Sequence, residues 1–476
     1  MAVDKNGNVY VTGYRRDTST YYYTIVTLKY DPNGILQWAQ YYDSLSYFSR
    51  IAVDNLSNVY LSGHQDNSLW VIKYNTLGVL QWSKPYSSSL VGTWSWDITT
   101  DDSSNVYMTA HSGNKITTLK YDLSGNLQWA AIDSYPVMGS GPSFITVDDS
   151  KNVYITARGW DTLINTFNCH TIKYNRDGTQ KWVQDYYSSF SPGTVAPVKI
   201  KYKSGFVYVL GMATNNNDGE GDYNLVKYDT LGNLMWTFPY SFTTYYDVPR
   251  DLAIDKTGNI YVTGNIWPTG GSVDSIATIK VSPNGNFKWK RTYSGGPYNN
   301  DEACGIEIDS SGFIYVGGRS NGFNNKENYI AMKYDSLGNT LWVGRYQNTN
   351  FSSDEAWSLS LDKNGNVYLS GTTRETNTSG VLTIKFSNTV GIQDLEISSD
   401  IITIYPNPTS NDLFLKSKNN YIQNFNIKIT NTLGQTVLQT EFKSQIDVSE
   451  LPNGFYFLKL RQDSGNELVK KIIVSR

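Results

Sequence analysis

The sequence predicts an all-β protein: a β-propeller of about eight four-stranded blades, with seven as the alternative, followed by a small C-terminal immunoglobulin-like β-sandwich. Three observations predict it. A short motif recurs about every 50 residues, each period contains four stretches that alternate in polarity, and 14% of the residues are aromatic while glycine occurs 39 times. This composition favours short strands joined by tight turns.

The repeated motif reads NVYVTG in its first copy and returns seven times, its tyrosines 47 to 54 residues apart. The eight tyrosines are Tyr10, Tyr60, Tyr107, Tyr154, Tyr208, Tyr261, Tyr315 and Tyr368. Each copy is followed by a lysine, namely Lys29, Lys73, Lys120, Lys173, Lys227, Lys280, Lys333 and Lys385. A tryptophan comes next in the first seven units, at Trp38, Trp82, Trp129, Trp182, Trp236, Trp289 and Trp342. Repetition on this scale is typical of stacked repeat folds.

Each period divides into four strands, as the sixth unit illustrates. DLAID, NIYVTG, ATIKV and FKWKRTY alternate with a two-residue rhythm, and glycine-containing turns separate the first pair and the last pair. Two-residue alternation indicates half-buried strands, and glycine supplies the positive φ that tight hairpin turns require. A single four-stranded sheet cannot bury both faces, so the units are expected to stack and close into a ring.

The two ends of the repeat region are irregular. The first unit begins inside its first strand, and the last unit lacks the tryptophan-bearing fourth strand. The N-terminus also lacks the charged and apolar regions of a signal peptide. We therefore expect that a longer N-terminus carries a signal peptide and a strand that closes the ring.

The elements D-x-x-G-N-V-Y-V-T-G and I-K-Y-D-x-x-G-N-x-x-W resemble the SBBP-type β-propeller repeats of bacterial exported proteins over residues 1–388. The resemblance implies an architecture and no particular chemistry. Tyr202 stands at the position that aspartate occupies in the other units, and Phe206 and Phe313 replace the turn asparagine. Because Lys227 is kept beside Tyr202, the repeated lysine is not expected to depend on the turn aspartate.

A second β domain, residues 400–476, follows a polar linker at 389–399. Four landmarks mark it in order: YPNP, TLGQ, LPNGFY and a final KKIIV. Their defining residues are Tyr405, Pro406, Asn407, Pro408, Gly434, Leu451, Pro452, Gly454, Tyr456, Lys470 and Lys471. This order resembles the type A C-terminal sorting domain of the type IX secretion system. The resemblance implies a Bacteroidetes-type host, contact with the type IX machinery through 400–476, outer-membrane export, and an extracellular or cell-surface location.

Bulk properties exclude some partners. The formal net charge is −3, which gives no electrostatic reason to expect nucleic acid. No run of eighteen apolar residues is present, so no transmembrane helix is expected. The three histidines, His64, His111 and His170, fall in different units without zinc-ligand spacing. No cofactor is expected, with one exception: Asp218, Glu220 and Asp222 alternate carboxylates in a glycine-rich loop that can wrap calcium, although solvated loops often share this composition.

A candidate ligand-binding face is predicted where the fourth strand of one blade leads into the first strand of the next. These connections combine carboxylates with aromatic residues, which suits glycan or protein ligands because flat rings stack and polar groups orient. Packing between blades is the alternative explanation for each residue. The predicted set is Trp94, Trp96, Tyr245, Tyr246, Asp247, Tyr298, Asp301, Glu302, Phe351, Asp354, Glu355 and Trp357.

Three functions remain open from the sequence. We expect a non-catalytic binding or adhesion module for glycan or protein on the cell surface, because the motifs are architectural and no catalytic cluster is apparent. An extracellular polysaccharide-active hydrolase or lyase is one alternative, and it requires paired carboxylates converging on one face. A structural component of the surface layer is the other alternative.

Overall fold

The computed structural model describes residues 1–16, 23–42, 47–65, 67–87, 92–135, 141–188, 193–215, 221–243, 246–267, 274–295, 300–321, 327–346, 353–375, 378–388, 402–417, 425–431, 435–441, 443–462 and 467–475. The chain divides into two compact units, Met1–Asn388 and Thr389–Arg476. Every regular element in the described ranges is a β-strand.

The described residues of the first unit form eight antiparallel sheets, here called blades 1 to 8. Blades 1 to 4 comprise β1 (Ala2–Val3), β2 (Val9–Arg16), β3 (Tyr23–Tyr30) and β4 (Leu36–Tyr42); β5 (Tyr47–Val53), β6 (Val59–Gln65), β7 (Ser68–Tyr74) and β8 (Leu80–Ser87); β9 (Thr93–Thr100), β10 (Val106–Ser112), β11 (Lys115–Tyr121) and β12 (Leu127–Asp133); β13 (Ser143–Val147), β14 (Val153–Asp161), β15 (Thr166–Tyr174) and β16 (Gln180–Tyr186). Blades 5 to 8 comprise β17 (Gly193–Lys203), β18 (Phe206–Asn215), β19 (Gly221–Asp229) and β20 (Leu234–Tyr240); β21 (Asp247–Ile254), β22 (Ile260–Ile266), β23 (Ser275–Val281) and β24 (Phe287–Tyr293); β25 (Glu302–Ile308), β26 (Ile314–Asn321), β27 (Glu327–Tyr334) and β28 (Thr340–Tyr346); β29 (Ser353–Leu361), β30 (Val367–Glu375) and β31 (Thr378–Phe386).

The blades close into a ring, so the predicted propeller is confirmed with eight sheets. The first strand of each blade contacts the first strand of the next, and β29 of blade 8 contacts β1 of blade 1. Apolar residues on facing sheets fill the space between blades: Tyr60 of blade 2, for example, packs with Met108 and Leu119 of blade 3. Blade 8 joins blade 1 through the contact of Tyr368 with Val9 and Val11.

The repeated aspartate organises the first hairpin of a blade. In blade 1 the Asp4 carboxylate accepts the main-chain N–H groups of Asn6 and Asn8, both at 2.9 Å, and the side-chain amide of Asn8 at 2.8 Å. It also accepts the Tyr10 hydroxyl at 3.1 Å, inside the core. The same four contacts recur at Asp54, Asp101, Asp148, Asp255 and Asp362. The motif D-x-x-G-N-V-Y is therefore a folding element, because one carboxylate satisfies the turn and a buried tyrosine.

Blade 5 corrects the alignment made from sequence. Tyr202 pairs with Val207 inside the strand, and Lys203, paired with Phe206, takes the place that aspartate has in other blades. The hairpin is shorter because Ser204 and Gly205, both with positive φ, form the whole turn. The placement of Tyr202 at the aspartate position was wrong, because an alignment without gaps does not account for the shorter hairpin loop of blade 5.

The repeated lysine and tryptophan join six of the blades to the next one, from blade 1 through blade 7, among the described residues. The Lys29 ammonium and the Trp38 indole N–H of blade 1 both donate to the main-chain carbonyl of Thr76 in blade 2, at 2.9 and 3.2 Å. We call this arrangement the inter-blade latch. It recurs with the pairs Lys73 and Trp82, Lys120 and Trp129, Lys173 and Trp182, Lys227 and Trp236, and Lys280 and Trp289. The lysine is thus a structural donor, which explains its presence in every unit.

The latch also uses the turn glycine, and this allows a matched test. At Gly78 an added Cβ would lie 2.8 Å from Trp38 Cδ2, whereas at Gly34 it would meet no described atom within 4 Å; both glycines have φ of +81°. Gly78→Ala is expected to lower the free energy of unfolding by about 1–3 kcal/mol more than Gly34→Ala. Both substitutions strain the backbone to the same degree, and only the contact with the Trp38 ring differs.

Urea unfolding followed by tryptophan fluorescence measures this difference. All 13 tryptophans lie before residue 388, so the signal reports on the propeller alone. Equal midpoints and slopes for the two variants would show that the Trp38 indole moves away from the added methyl group without a loss of stability.

The second unit is a two-sheet sandwich. Its strands are β32 (Ile402–Tyr405), β33 (Asp412–Ser417), β34 (Phe425–Asn431), β35 (Thr436–Glu441), β36 (Gln445–Asp447), β37 (Gly454–Gln462) and β38 (Glu467–Val474). One sheet has the order β32-β33-β36 and the other β35-β34-β37-β38. Leu413, Ile429 and Leu458 are fully buried between them. The predicted C-terminal β-sandwich is therefore present.

Candidate functional site

Those predicted ligand residues that the structure describes lie at one end of the propeller, which we call the upper face. There the first and third strands of each blade begin and the second strand ends, so Glu302 at the start of β25 pairs with Arg319 near the end of β26. Trp94 pairs with His111 in the same way in blade 3. The turns that carry the latch lie at the opposite end, because antiparallel strands place alternate connections at opposite edges.

β-Bulges in the first strand, opposite the repeat motif, present side chains on this face. In blade 8 the register shifts between Ala356 and Ser358, which leaves Trp357 as the extra residue. A Cβ at Gly371, the last residue of the motif, would lie 1.9 Å from the Glu355 carbonyl oxygen, so only glycine permits this close approach. A bulge turns its extra residue away from the sheet pairing, and bulges are common beside binding sites. The same shift occurs at Trp96, Arg250 and Cys304.

Arg319 is the centre of a charged cluster on this face. Its guanidinium contacts a Glu302 oxygen, lies 3.1 Å from Glu327 Oε1 and lies 3.5 Å from Glu355 Oε2. The three glutamates come from β25, β27 and β29, so the cluster joins blades 7 and 8. Two further arginines close it: Arg250 lies 3.3 Å from Glu302 and Arg374 lies 3.2 Å from Glu355. We call these six residues the arginine–glutamate cluster.

An exposed tryptophan lies beside this cluster. Trp357 is 60% exposed, and its ring centre is 5.8 Å from the Arg319 guanidinium carbon. The indole N–H donates to Thr372 Oγ1 at 3.3 Å, which holds the ring in one orientation. A fixed, flat, solvent-facing ring next to charged donors and acceptors is suited to stacking against a ligand while polar groups orient it.

A second exposed tryptophan lies on blade 3. Trp94 is 45% exposed, and its ring lies 4.9 Å from the ring of His64 on blade 2. Trp96, two residues on, is half-buried and lies edge-on to His111 at 6.3 Å. The upper face therefore carries exposed indoles on blades 3 and 8, while Trp96 belongs to the packing beneath.

Three predicted carboxylates are buried, and two of them organise local backbone. Asp247 accepts the N–H groups of Phe242 and Thr243, and Asp301 accepts the Gly295 N–H and the Ser320 hydroxyl. Burial raises the pKa of Asp247 to about 6. Asp354 is also fully buried. None of the three carboxylates faces solvent, and the contacts of Asp247 and Asp301 are to their own local structure.

The remaining predicted residues divide by where they lie. Tyr246 is 41% exposed and packs edge-on to Trp267 at 5.1 Å. Asp222 lies on β19, and its charge adds to the effect of burial in raising the pKa of the Asp247 carboxyl. Five predicted residues lie outside the described ranges: Tyr245, Tyr298, Phe351, Asp218 and Glu220. Within the described ranges no group of three His, Cys, Asp or Glu residues is arranged to hold a metal, so the calcium loop stays a prediction.

Sequence reasoning missed part of the site. Arg319, Glu327 and Arg374 were not singled out, because each lies on a different strand and no spacing in the sequence links them. It also missed Asp274, whose pKa is raised to about 6 by burial and by the neighbouring Glu302. The available signal was weak: Arg319 directly follows the repeat motif in the seventh unit, but Arg158 does so in the fourth.

His170 forms a second buried charge cluster, between blades 3 and 4. Its Nδ1 lies 2.6 Å from Asp185 and its Nε2 lies 3.5 Å from Asp133, while the ring of Tyr135 stacks on it at 4.0 Å. Burial alone would lower the pKa of His170, but the hydrogen bonds and charges of the two aspartates outweigh burial and raise it. The imidazole is thus an ionic bridge from Asp133 of blade 3 to blade 4.

The C-terminal landmarks form the core and one edge of the sandwich. The Asn407 side chain donates to the Lys471 carbonyl and accepts the Ile473 N–H, so the YPNP segment is tied to β38. The peptide bonds before Pro406 and Pro408 are cis. Tyr456 is buried and donates to the Pro452 carbonyl at 2.8 Å. Leu451 is buried, Gly454 begins β37, Lys470 lies on β38, and Gly434 lies outside the described ranges.

Family comparisons agree with both parts of the sequence prediction. Residues 240–268 and 290–325 match the β-propeller repeat family SBBP, and residues 403–475 match the secretion system C-terminal sorting domain. The chain therefore carries SBBP repeats and a type IX sorting domain, and that domain directs export to the cell surface or the extracellular space. The sorting domain also implies interaction with the type IX machinery. No helix among the described residues is long and apolar enough to cross a membrane.

Individual relatives are distant. The regulatory protein FlaEY of Caulobacter vibrioides is 26% identical over 28% of this chain, and the match spans 16% of FlaEY. A catalytically inactive virginiamycin B lyase from Staphylococcus aureus is 12% identical with a TM-score of 0.42, covering 76% of this chain and 96% of the lyase. The β-propeller domain of the trilobed protease from Pyrococcus furiosus is 8% identical with a TM-score of 0.44, covering 73% and 94%.

Proposed function

We propose that this exported propeller is a non-catalytic binding module for glycans, and that its ligand rests on the upper face between Trp357 and the arginine–glutamate cluster. The observation that carries the proposal is the exposed Trp357 ring, fixed by Thr372 and backed by Arg319. Sugar rings offer flat apolar faces to indoles and hydroxyl groups to charged side chains. Trp94 provides a second stacking surface on the same face.

The charged groups favour binding over catalysis. Every described glutamate of the cluster is paired with at least one arginine, so its oxygens serve to hold the surface in shape. Glycoside hydrolysis needs an acid and a second carboxylate placed across the scissile bond. Arginine-bound glutamates instead form a rigid rim of donors and acceptors around an exposed ring.

Substitution of the exposed tryptophans tests the proposal. The purified full chain is screened on a glycan array and the best ligand is titrated by calorimetry. Trp357→Ala and Trp94→Ala are each expected to weaken binding at least about tenfold, because a central aromatic side chain commonly dominates an interface. Leu231→Ala, an exposed apolar residue in a turn at the opposite end, is the control and should bind as the parent chain does. Unchanged affinity in both tryptophan variants would contradict the proposed surface.

A second candidate function, a polysaccharide hydrolase or lyase, is favoured by Asp274. A carboxyl whose pKa is raised to about 6 beside Glu302 has the property expected of a general acid. Reducing-sugar or unsaturated-product release from the same glycans separates the two functions. Product formation that disappears in Asp274→Asn, while binding persists, would replace the binding module with an enzyme.

A further inference from the structure

One position on the first strands of the blades, which contact one another around the ring, departs from the repeat in two blades. The residue at this position pairs with the repeat tyrosine, and Lys201 and Glu307 occupy it in blades 5 and 7. The other six blades have a small uncharged residue there, namely Ala2, Ala52, Thr99, Thr146, Ala253 and Ser360. Two residues of opposite charge therefore flank the small Ala253 of blade 6.

These three residues line one cavity, which we call the axial cavity. Its volume is about 180 Å³, and its walls are residues 201–203 of blade 5, 253–254 of blade 6 and 307–308 of blade 7. One water molecule takes roughly 30 Å³ in the liquid, so the cavity has room for a small organic molecule. All of these residues lie toward the ends of the first strands, which begin at the upper face. The axial cavity is therefore separate from the upper face.

The two charged groups of the axial cavity are not paired within the described structure. Neither Lys201 nor Glu307 forms a hydrogen bond or an ion pair with a described residue. Asp251 nearby is already engaged, because it accepts the Ile306 N–H at 3.2 Å and lies 3.9 Å from the Lys199 ammonium. Burial alone would lower the pKa of Lys201, but the charges of Glu307 and Asp251 outweigh burial and raise it. The lysine is thus charged at neutral pH and influenced by Glu307 without contacting it.

We propose that the axial cavity binds a small zwitterion, a free amino acid with a small side chain, whose carboxylate contacts Lys201 and whose ammonium contacts Glu307. A simple anion would be repelled by the glutamate and a simple cation by the lysine, whereas a molecule with both charges satisfies both groups. Each first strand is also an edge of its sheet, so its free main-chain N–H and C=O groups supply further donors and acceptors. The small volume limits the length of the amino acid side chain.

Calorimetric titration of the full 476-residue chain tests the axial cavity. The probes are glycine, L-alanine and L-serine, each compared with its N-acetyl derivative, which lacks the positive charge, and its amide, which lacks the negative charge. We expect at least one amino acid to bind with a dissociation constant below about 1 mM. Both of its derivatives should bind at least about tenfold more weakly, because each leaves one charged group of the cavity without a partner. Absence of such binding, or a derivative that binds as well as its amino acid, overturns the proposal.

Charge variants locate the ligand. Lys201→Met and Glu307→Gln should each weaken binding at least about tenfold, while Lys5→Met, which removes an exposed lysine in the first turn of blade 1, should bind as the parent chain does. Tryptophan fluorescence confirms that each variant is folded before titration, and the derivative series decides the matter if one is not. Retained binding in both neutral variants contradicts the proposal.

Reversal of both charges gives a sharper test. Lys201→Glu combined with Glu307→Lys should bind the amino acid more tightly than either reversal alone, because a zwitterion can turn round and meet both charges again. A double variant no better than the single ones would show that the two groups do not hold the ligand together. Glycan binding is measured at the upper face, so failure of one proposal leaves the other to its own experiment.

Discussion

Replacing Arg319 with alanine is expected to lower the free energy of unfolding of the propeller by about 3–5 kcal/mol. The side chain is 16% exposed and contacts Glu302, Glu327 and Glu355, whose side chains are no more than 20% exposed. Removing the shared cation leaves three neighbouring carboxylates without their central partner, and breaking a buried pair from one side typically has this cost. Urea unfolding monitored by tryptophan fluorescence gives the value.

Arg374→Ala is the matched control. Among the described residues Arg374 forms one ion pair, with Glu355 at 3.2 Å, and its side chain is 63% exposed, so solvent screens the pair. Its loss is expected to cost less than about 1 kcal/mol. If Arg319→Ala proves no more costly than Arg374→Ala, the arginine–glutamate cluster does not hold blades 7 and 8 together.

Replacing His170 with glutamine is expected to cost about 3–5 kcal/mol at pH 6, because Asp133 and Asp185 then face each other around a neutral side chain. The loss should depend on pH with a defined sign. The pKa of His170 in the folded protein is raised above the ordinary value of 6.5. Its stabilisation is therefore complete below about pH 6.5 and is lost as the pH rises through the raised pKa.

The difference in unfolding free energy between parent and His170→Gln, measured from pH 5 to pH 9, isolates this residue from the other titrating groups. We expect the difference to shrink toward alkaline pH. His64 provides the opposite case, because burial lowers its pKa, so its contribution weakens as the medium becomes acidic. A difference that is flat with pH would show that His170 is neutral in the folded protein.

Much of the fold follows from the sequence because the repeated residues are the ones that build it. Asp4, Asn8 and Tyr10 contact one another within a few residues of chain, so their spacing carries the structure. The latch joins residues that lie far apart in the sequence, but its lysine occurs in all eight units, so the repeat could be recognised. The register of blade 5 was not predictable in this way, since a two-residue turn at Ser204 and Gly205 leaves no trace in the repeat.

The candidate site could be predicted only in part, because its contacts cross blades once and do not recur. Trp94, Glu355 and Trp357 were found from their position at the start of first strands. Arg319 was not found, because nothing in the sequence of its own unit shows that a glutamate of the next blade contacts it. The degree of burial could not be predicted either: Asp301 and Glu302 are adjacent in sequence, yet Asp301 is fully buried and organises a turn, whereas Glu302 is half-buried and contacts Arg319.

The latch bears on how such a chain can evolve. The lysine acceptor is a main-chain carbonyl at seven junctions, supplied by Thr76, Leu123, Arg176, Thr230, Pro283, Ser336 and Pro32, whereas Lys333 donates to the Asn388 side chain. A backbone oxygen is present whichever residue occupies the position, so substitutions at these positions do not remove the acceptor. Each gene segment also carries its own lysine and glycine. A unit could therefore be copied or recombined with its neighbours without a new joint having to be invented.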